Sequence, residues 1–204
     1  MTSKLLTTLT GGLLAFGLLV LWQNREVTVA EAVHAPPITQ GDPAALRQLV
    51  SILSPTCSHC ADHEAQSGTL LGEAATDGRL YYAVYPVTTT RGAEGYTYAF
   101  LCAAKQGAFG AYARAHYRAY FGQEERPDAA VTARDAGLDV TAFERCLSSP
   151  EVVAEAAQSL AWAKQLGAAA TPTFFIYLPE NERWQRLQGQ KRCSYWEKWL
   201  WHGG

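Results

Sequence analysis

Residues 46–60 read LRQLVSILSPTCSHC, and this stretch decides the fold of the chain. Its first half, Leu46 to Leu53, is largely apolar and predicts a buried strand. The sequence from Ser58 to about Ala75 predicts a helix, followed by the turn signal Thr76-Asp77-Gly78. Leu80 to Val87 (LYYAVYPV) is aromatic and β-branched and predicts a second strand. A strand, a helix and a strand within about 40 residues form a βαβ unit.

The remainder of the chain changes from helical to strand signals. Gly92 to Gly167 is rich in Ala, Leu, Glu and Arg and is interrupted at several Gly and Pro positions, which predicts four or five helices of about 8 to 17 residues. Two strands follow, Thr173 to Leu178 and Trp184 to Gln188, separated by the hairpin turn Pro179-Glu180-Asn181. A final amphipathic helix covers Ser194 to Trp201. The sequence therefore predicts an α/β frame that is divided by a helical block.

The composition excludes several classes of protein. Among 204 residues, 17 Lys+Arg oppose 19 Asp+Glu, which gives a net charge of -2, and 48% of the residues are hydrophobic. A disordered chain needs low hydrophobicity and high net charge, and a nucleic-acid-binding protein usually carries a basic excess, so we expect neither. Five cysteines are too few for a small disulfide scaffold. Their odd number leaves at least one thiol unpaired within the chain.

An apolar run near the N-terminus predicts export. Leu5 to Trp22 contains no charged residue and follows a lysine. This length favours an uncleaved anchor over a cleaved signal peptide with its cleavage motif at Ala30-Glu31-Ala32. In either case the basic N-terminus stays in the cytoplasm and the body crosses the membrane to the periplasmic or extracytoplasmic side. The predicted division is a signal anchor or signal peptide over 1–24, a tether over 25–41 and a single domain over 42–204.

The motif Cys57-Ser58-His59-Cys60 lies where the first strand meets the first helix. The unpaired N–H groups and the positive end of the helix dipole stabilise an anion there, so the Cys57 thiolate is favoured and its pKa should fall. Cys60, one turn further along, can attack a mixed disulfide formed at Cys57. His59 can add positive charge or a hydrogen bond to the thiolate. These are the requirements of a protein that exchanges dithiols and disulfides.

A metal site is the alternative explanation of a Cys-x-x-Cys pair. A structural zinc site commonly takes four protein ligands, and the chain contains no second Cys-x-x-Cys motif. His63 follows Cys60 closely, so Cys57, Cys60 and His63 could instead form a three-ligand cluster. The protein would then be a non-enzymatic metal-binding module.

Thr171-Pro172-Thr173 opens a strand far along the chain from the cysteine pair. A Pro at the first position of a strand is ordinary at a sheet edge and alone decides nothing. A cis peptide bond before Pro172 would turn the Thr171 main chain toward Cys57, where it could pair with an extended substrate. Thr171 carries no bulky or charged side chain that would crowd this approach.

These features together resemble the DsbA-like thiol-disulfide oxidoreductases. The resemblance rests on the strand–CSHC–helix opening, the helical insertion and the stretch Thr171 to Phe175, and it covers about Leu46 to Trp201. It implies a thioredoxin-like fold, in which a βαβ half and a β-hairpin-α half surround a central sheet. The implied division is a frame over 42–90 and 165–204 with a helical insertion over 91–164.

The resemblance also implies the role of each site residue. Cys57 would be the nucleophile and Cys60 the resolving thiol. His59 and Ser58 would tune the pKa of Cys57. The substrate would bind at Thr171 and at Pro172, the cis-proline.

The activity implied is disulfide exchange with other proteins. No cofactor and no metal would be needed. The partners would be exported proteins that contain cysteines and a redox partner that regenerates the active pair, while the N-terminal segment holds the enzyme at the membrane. We expect a dithiol oxidase. Because a threonine before the cis-proline also resembles disulfide reductases and isomerases, that activity is the alternative.

Two positions depart from the family pattern. Ser58 stands where the family often has Pro. Ser51, six residues before Cys57, stands where thioredoxin-fold enzymes commonly bury an acidic residue that accepts the proton of the resolving thiol. Proton acceptance would then fall to water, His63 or Glu64.

The remaining cysteines are expected to be structural. Cys102 and Cys146 lie in the helical block, and such a pair in an oxidising compartment is usually bridged. Many DsbA-like chains carry a second pair at comparable places, and two buried thiols are the alternative. Cys193 belongs to neither pair. It would be a buried or half-buried thiol, an intermolecular or regulatory thiol, or a replacement for one partner of the bridge.

The C-terminal helix is expected to pack on the sheet through two tryptophans. Trp196 and Trp199 are spaced so that they share one face of the helix, whereas Trp201 falls on another face and is expected at the surface. His116 and His202 show no spacing that suggests a partner, and both are predicted at the surface.

Overall fold

A computed structural model describes residues 28–88, 90–122 and 126–202 of the chain. The predicted apolar leader, residues 5–22, lies outside these ranges. Within them, no helix is both long enough and apolar enough to cross a membrane.

The predicted strands and helices are present, with small shifts of their ends. The strands are β1 (Ile38–Gln40), β2 (Arg47–Leu53), β3 (Leu80–Pro86), β4 (Thr173–Leu178) and β5 (Arg183–Gln188). The α-helices are α1 (Val29–His34), α2 (Ser58–His63), α3 (Thr69–Thr76), α4 (Glu94–Lys105), α5 (Phe109–Gly122), α6 (Ala129–Asp135), α7 (Val140–Leu147), α8 (Pro150–Gln165) and α9 (Cys193–His202). A π-helical segment, Glu64–Gly68, joins α2 to α3, so the helix expected from residue 58 to 75 has one wide turn in its middle.

The described strands form one sheet in the order β1-β3-β2-β4-β5. β2 and β3 are parallel and make the βαβ half with α2 and α3 as the crossover. β4 and β5 form an antiparallel hairpin that precedes α9, and β4 pairs antiparallel with β2. In this register Ile52 lies opposite Thr173. The end of β2, which leads to Cys57, therefore lies beside the start of β4, which follows Pro172.

Both faces of the sheet are covered, which explains why its central strands are apolar on both sides. Along β2, Leu49 and Leu53 pack in a core shared with α9 and the helical insertion. Val50 and Ile52 point to the opposite face and pack in a second core with α1 and α8. The helical block thus contributes to both cores and is fixed against the frame.

Part of the segment expected to be a tether has regular structure. Val29–His34 forms α1, which begins with a capping box between Thr28 and Glu31. Buried Ala32 of this helix accepts a hydrogen bond of 2.7 Å at its carbonyl from the Tyr85 hydroxyl. Ile38–Gln40 then pairs with β3 as an edge strand. A strand of three residues is too short to show a period in the sequence, and its pairing depends on the distant β3.

The insertion contains the helices α4 to α8 in the part of the chain that the structure describes. Its helices start at side chains that accept hydrogen bonds from free backbone N–H groups, such as Asp128 at α6, Asp139 at α7 and Ser149 at α8. Cys102 on α4 and Cys146 on α7 are joined by a disulfide, with their Cα atoms 5.8 Å apart. This bond ties two insertion helices together.

His116 corrects one prediction. It was expected at the surface, but only 1% of its surface is exposed. Its ring packs among aromatic residues of the insertion, including Tyr96 at 5.0 Å and Phe100 at 5.2 Å between ring centroids. The prediction was wrong because the face of α5 that carries His116 is covered by α4 and by the loop between β2 and α2, which contains Pro55, and the sequence alone does not show this contact.

The tryptophans of α9 lie as predicted. Trp196 and Trp199 are fully buried in the core on the α9 face of the sheet, whereas 50% of Trp201 is exposed. The Arg79 guanidinium lies 3.8 Å from the Trp201 ring centroid and covers part of it by a cation–π contact.

Candidate active site

Cys57 is placed by the start of α2. It is the N-cap residue, with extended backbone angles, and its carbonyl accepts hydrogen bonds from the N–H groups of Cys60 and Ala61, both at 3.1 Å. Its side chain is half-buried, while Ser58 and His59 are exposed and Cys60 is buried. The sulfur of Cys57 is therefore the one that another protein can reach.

The loop before β4 lies next to the Cys57 sulfur, because β4 is the neighbour of β2 in the sheet. The thiol of Cys57 donates a hydrogen bond of 3.2 Å to the carbonyl oxygen of Thr171. The Thr171–Pro172 peptide bond is cis. The pairing of β2 with β4 brings together residues that are 114 positions apart in the chain. A main-chain segment beside a reactive sulfur is a suitable surface for an extended peptide.

The Cys57 thiolate is strongly stabilised. A hydrogen bond with the Cys60 thiol lowers the pKa of Cys57 to about 5, and this effect outweighs partial burial, which raises it. The Thr171 side chain and the backbone N–H groups of Cys60 and His59 also lower this pKa. His59 thus contributes through its backbone.

The Cys60 thiol has the opposite environment. Burial raises the pKa of Cys60, and the neighbouring Cys57 sulfur raises it further. The backbone N–H of Ser54 donates a hydrogen bond of 3.4 Å to the Cys60 sulfur, which opposes this shift. At neutral pH the pair therefore holds one half-buried, accessible thiolate at Cys57 and one buried thiol at Cys60.

We expect the Cys57 thiolate of the reduced protein to titrate with a midpoint near pH 5. Because its pKa is lowered on folding, ionisation of Cys57 stabilises the folded reduced protein. This stabilisation is complete above the ordinary thiol pKa of 9.0 and is lost as the pH falls through about 5. Ultraviolet thiolate absorbance measured against pH tests this, with Cys57→Ser as the control that should lack the transition. A midpoint at pH 8 or above would contradict it.

The family of the chain follows from its sequence pattern. The sequence model of a protein family described as Thioredoxin matches residues 34–188 of this chain. The chain belongs to the thioredoxin family. No curated protein sequence matches it.

Solved structures of a thioredoxin-like oxidoreductase and of DsbA proteins resemble this thioredoxin-family chain. A thioredoxin-like oxidoreductase from Silicibacter pomeroyi is 24% identical, with a TM-score of 0.65 over 84% of this chain and 95% of that one. α-DsbA1 from Wolbachia pipientis is 20% identical, with a TM-score of 0.65 over 79% of this chain and 87% of that one. DsbA from Chlamydia trachomatis is 16% identical, with a TM-score of 0.61 over 79% and 88%. At these identities the likeness establishes the fold.

His63 is packed as a core residue in this thioredoxin-family protein. Its ring lies 4.6 Å from that of Phe174 and 5.7 Å from that of Trp196 between centroids. Among the described residues neither of its ring nitrogens has a hydrogen-bond partner, and burial lowers its pKa to about 4. His63 is therefore neutral at pH 7 and a weak base.

The alternative metal site is not formed. In the part of the chain that the structure describes, no group of three or more His, Cys, Asp or Glu side chains could hold a metal ion. The alternative cluster of Cys57, Cys60 and His63 is therefore not assembled among these residues. The physical reason is that His63 is enclosed by aromatic rings in the core.

Glu64 is the buried acid of the site. Only 3% of it is exposed, and burial raises its pKa to about 7, although the charge of Arg114 opposes this shift. An Arg114 nitrogen lies 3.4 Å from the Glu64 carboxylate. The carboxylate lines a cleft of about 500 Å³ between the π-helical segment and α5. Ser51 on β2 is also buried and carries no carboxylate, so the buried acid comes from the π-helical segment and not from the strand.

Sequence reasoning missed the residues that hold the loop before Cys57. The Ser54 carbonyl accepts a hydrogen bond of 3.0 Å from the Tyr117 hydroxyl, and the Pro55 carbonyl lies 3.0 Å from Nε2 of His116. These pairs are 63 and 61 positions apart. Neither residue of α5 has a spacing or a motif that could have revealed the contact.

Proposed function

We propose that this thioredoxin-family protein is an extracytoplasmic thiol-disulfide oxidoreductase that acts on cysteines of exported proteins. The observation that carries the proposal is the asymmetry of the pair: Cys57 is an accessible thiolate with a pKa of about 5, next to the buried thiol of Cys60. A low pKa of the accessible sulfur stabilises the reduced pair and so makes its disulfide a better oxidant. We infer the oxidase direction on this ground.

The oxidase reaction begins at the accessible sulfur. A client thiolate attacks the Cys57 sulfur of the oxidised pair, and the bond between Cys57 and Cys60 breaks. Cys60 leaves with the electron pair and takes up a proton. A second client thiolate then attacks the client sulfur of the mixed disulfide, forms the client disulfide and expels the Cys57 thiolate. The client loses two electrons, the pair gains them, and a redox partner must remove them before the next turnover. No cofactor takes part.

The substrate segment would bind along Thr171. Its carbonyl lies 3.2 Å from the Cys57 sulfur, so a client strand that pairs with the Thr171 main chain, beside the Pro172 ring, would bring its cysteine to Cys57. His59 and Ser58 lie exposed at the same helix end. They would contact the client and adjust the stability of the thiolate.

Glu64 is best suited to exchange the proton of Cys60. The two residues are four positions apart and one helical turn separates them, with the Glu64 N–H bonded to the Cys60 carbonyl. Both residues are buried, with 0% of Cys60 and 3% of Glu64 exposed. With a pKa of about 7, Glu64 can accept or release a proton near neutral pH, whereas His63 with a pKa of about 4 is much less suited.

The reduction potential of the Cys57–Cys60 pair tests the direction. We expect a value near that of DsbA, about −120 mV, because the Cys57 thiolate stabilises the reduced form. Equilibration with glutathione buffers, followed by quantification of the Cys57–Cys60 disulfide, gives this potential. A value near that of thioredoxin, about −270 mV, would overturn the oxidase direction and support the reductase or isomerase alternative.

The location and the domain division are part of the same proposal. The apolar segment over residues 5–22 would anchor the protein in the inner membrane or direct its export. The domain over 42–204 would then carry the frame and the insertion on the periplasmic side, where client proteins acquire disulfides.

A further inference from the structure

The loop between β2 and α2 joins both cysteines to the helical insertion. Ser54 donates its N–H to the Cys60 sulfur at 3.4 Å, and its carbonyl accepts the N–H of Cys57 at 3.2 Å. The same carbonyl accepts the Tyr117 hydroxyl at 3.0 Å. One residue of the loop therefore contacts the resolving sulfur, the nucleophilic residue and a side chain of α5.

The neighbouring residue of α5 fixes the next carbonyl of the loop. Nε2 of His116 lies 3.0 Å from the Pro55 carbonyl, which can only accept a hydrogen bond, so Nε2 carries the proton. His116 and Tyr117 are both buried, with 1% and 4% of their surface exposed. Two hydrogen bonds from successive residues therefore hold two successive carbonyls, away from competing water.

We propose that Tyr117 and His116 are positioning residues for Cys60: they hold the Ser54–Pro55 turn so that the Ser54 N–H points at the Cys60 sulfur. This inference rests on the proposed exchange at Cys57 and Cys60. The Cys60 sulfur carries negative charge once it has lost its proton to attack a disulfide, and again when it leaves one. A fixed N–H donor stabilises that charge, and a donor that can turn away stabilises it less. The helical insertion thereby controls the rate of the step that uses Cys60.

Reaction with oxidised glutathione separates the step that uses Cys60 from the attack by Cys57 that precedes it. The Cys57 thiolate of the reduced protein attacks glutathione disulfide, forms a mixed disulfide and expels one glutathione thiolate. Cys60 then loses its proton to a base and attacks the Cys57 sulfur, which forms the Cys57–Cys60 disulfide and expels the second glutathione. The protein pair loses two electrons and the glutathione disulfide gains them. Rapid acid quenching followed by mass spectrometry gives both rates.

Tyr117→Phe removes the hydroxyl and keeps the ring. We expect the first step to stay within about twofold of the wild type and the second to slow roughly tenfold, because a hydrogen bond to a charged sulfur is lost or misaligned. The matched control is Tyr112→Phe on the same helix, whose hydroxyl lies 3.5 Å from the Ala129 carbonyl, away from the loop. In that variant both rates should remain those of the wild type.

His116→Phe provides a second test, because it removes the bond to Pro55 and keeps an aromatic ring. It should also slow the second step selectively. A purely structural role would lower the unfolding free energy of either variant and leave the ratio of the two rates unchanged. The inference would be overturned if folded Tyr117→Phe resolved the mixed disulfide at the wild-type rate. If Tyr117→Phe does not fold, the same result in folded His116→Phe would overturn it. Failure of the wild type itself to form the mixed disulfide at Cys57 would instead overturn the proposed function.

Discussion

Cys57→Ser is expected to abolish disulfide exchange and to leave the fold intact. The serine hydroxyl is nearly isosteric with the thiol, but it stays protonated at pH 7 and does not attack disulfides, whereas the Cys57 thiol ionises with a pKa of about 5. Cys60 cannot replace it, because that sulfur is buried and its pKa is raised. Oxidation of a peptide that contains two cysteines should fall to the uncatalysed rate.

Cys193→Ser is the matched control for that experiment. Cys193 is also a free thiol, at the start of α9, and it lies 3.8 Å from a Glu197 carboxylate oxygen. Burial and the Glu197 charge raise the pKa of Cys193, so this thiol is a poor nucleophile at pH 7. The variant should oxidise the peptide as fast as the wild type. If Cys57→Ser retained turnover while Cys193→Ser lost it, the assignment of the active pair would be wrong.

Loss of the Cys102–Cys146 disulfide is expected to lower the unfolding free energy by about 3–4 kcal/mol. The bond closes a loop of 44 residues between α4 and α7, and in the chain-entropy model its removal restores that conformational freedom to the unfolded chain. The double variant Cys102→Ala/Cys146→Ala, unfolded in urea without reductant, measures the loss. Cys193→Ala should change the unfolding free energy little, because its thiol is not part of a bridge.

Exchange activity separates the two roles of the cysteines in this chain. Cys57 and Cys60 lie at the β2–α2 junction, whereas the disulfide lies within the insertion. The folded double variant should therefore exchange disulfides at nearly the wild-type rate. A loss of unfolding free energy below about 1 kcal/mol would show that the disulfide does not brace the native insertion.

Most strands of the frame and the helices of the insertion could be predicted because their signals are local. β3 is an unbroken aromatic and apolar run, since both faces of the sheet are covered. The N-caps Asp128, Asp139 and Ser149 mark helix starts by their own side chains. α1 and β1 were missed because a helix of six residues and a strand of three carry little periodicity and depend on packing against the sheet.

The sequence alone determined the chemistry of the pair. A Cys-x-x-Cys motif that follows a strand and begins a helix places the first sulfur at the helix N-terminus and the second one turn away, and both consequences are local. The tertiary structure decided how that chemistry is controlled. Thr171 and Tyr117 reach Cys57 and its loop through strand pairing and an inserted helix. Residues distant in the sequence bury His63, which excludes it from metal binding, and bury Glu64, which raises its pKa to about 7. No short stretch of sequence predicts this burial.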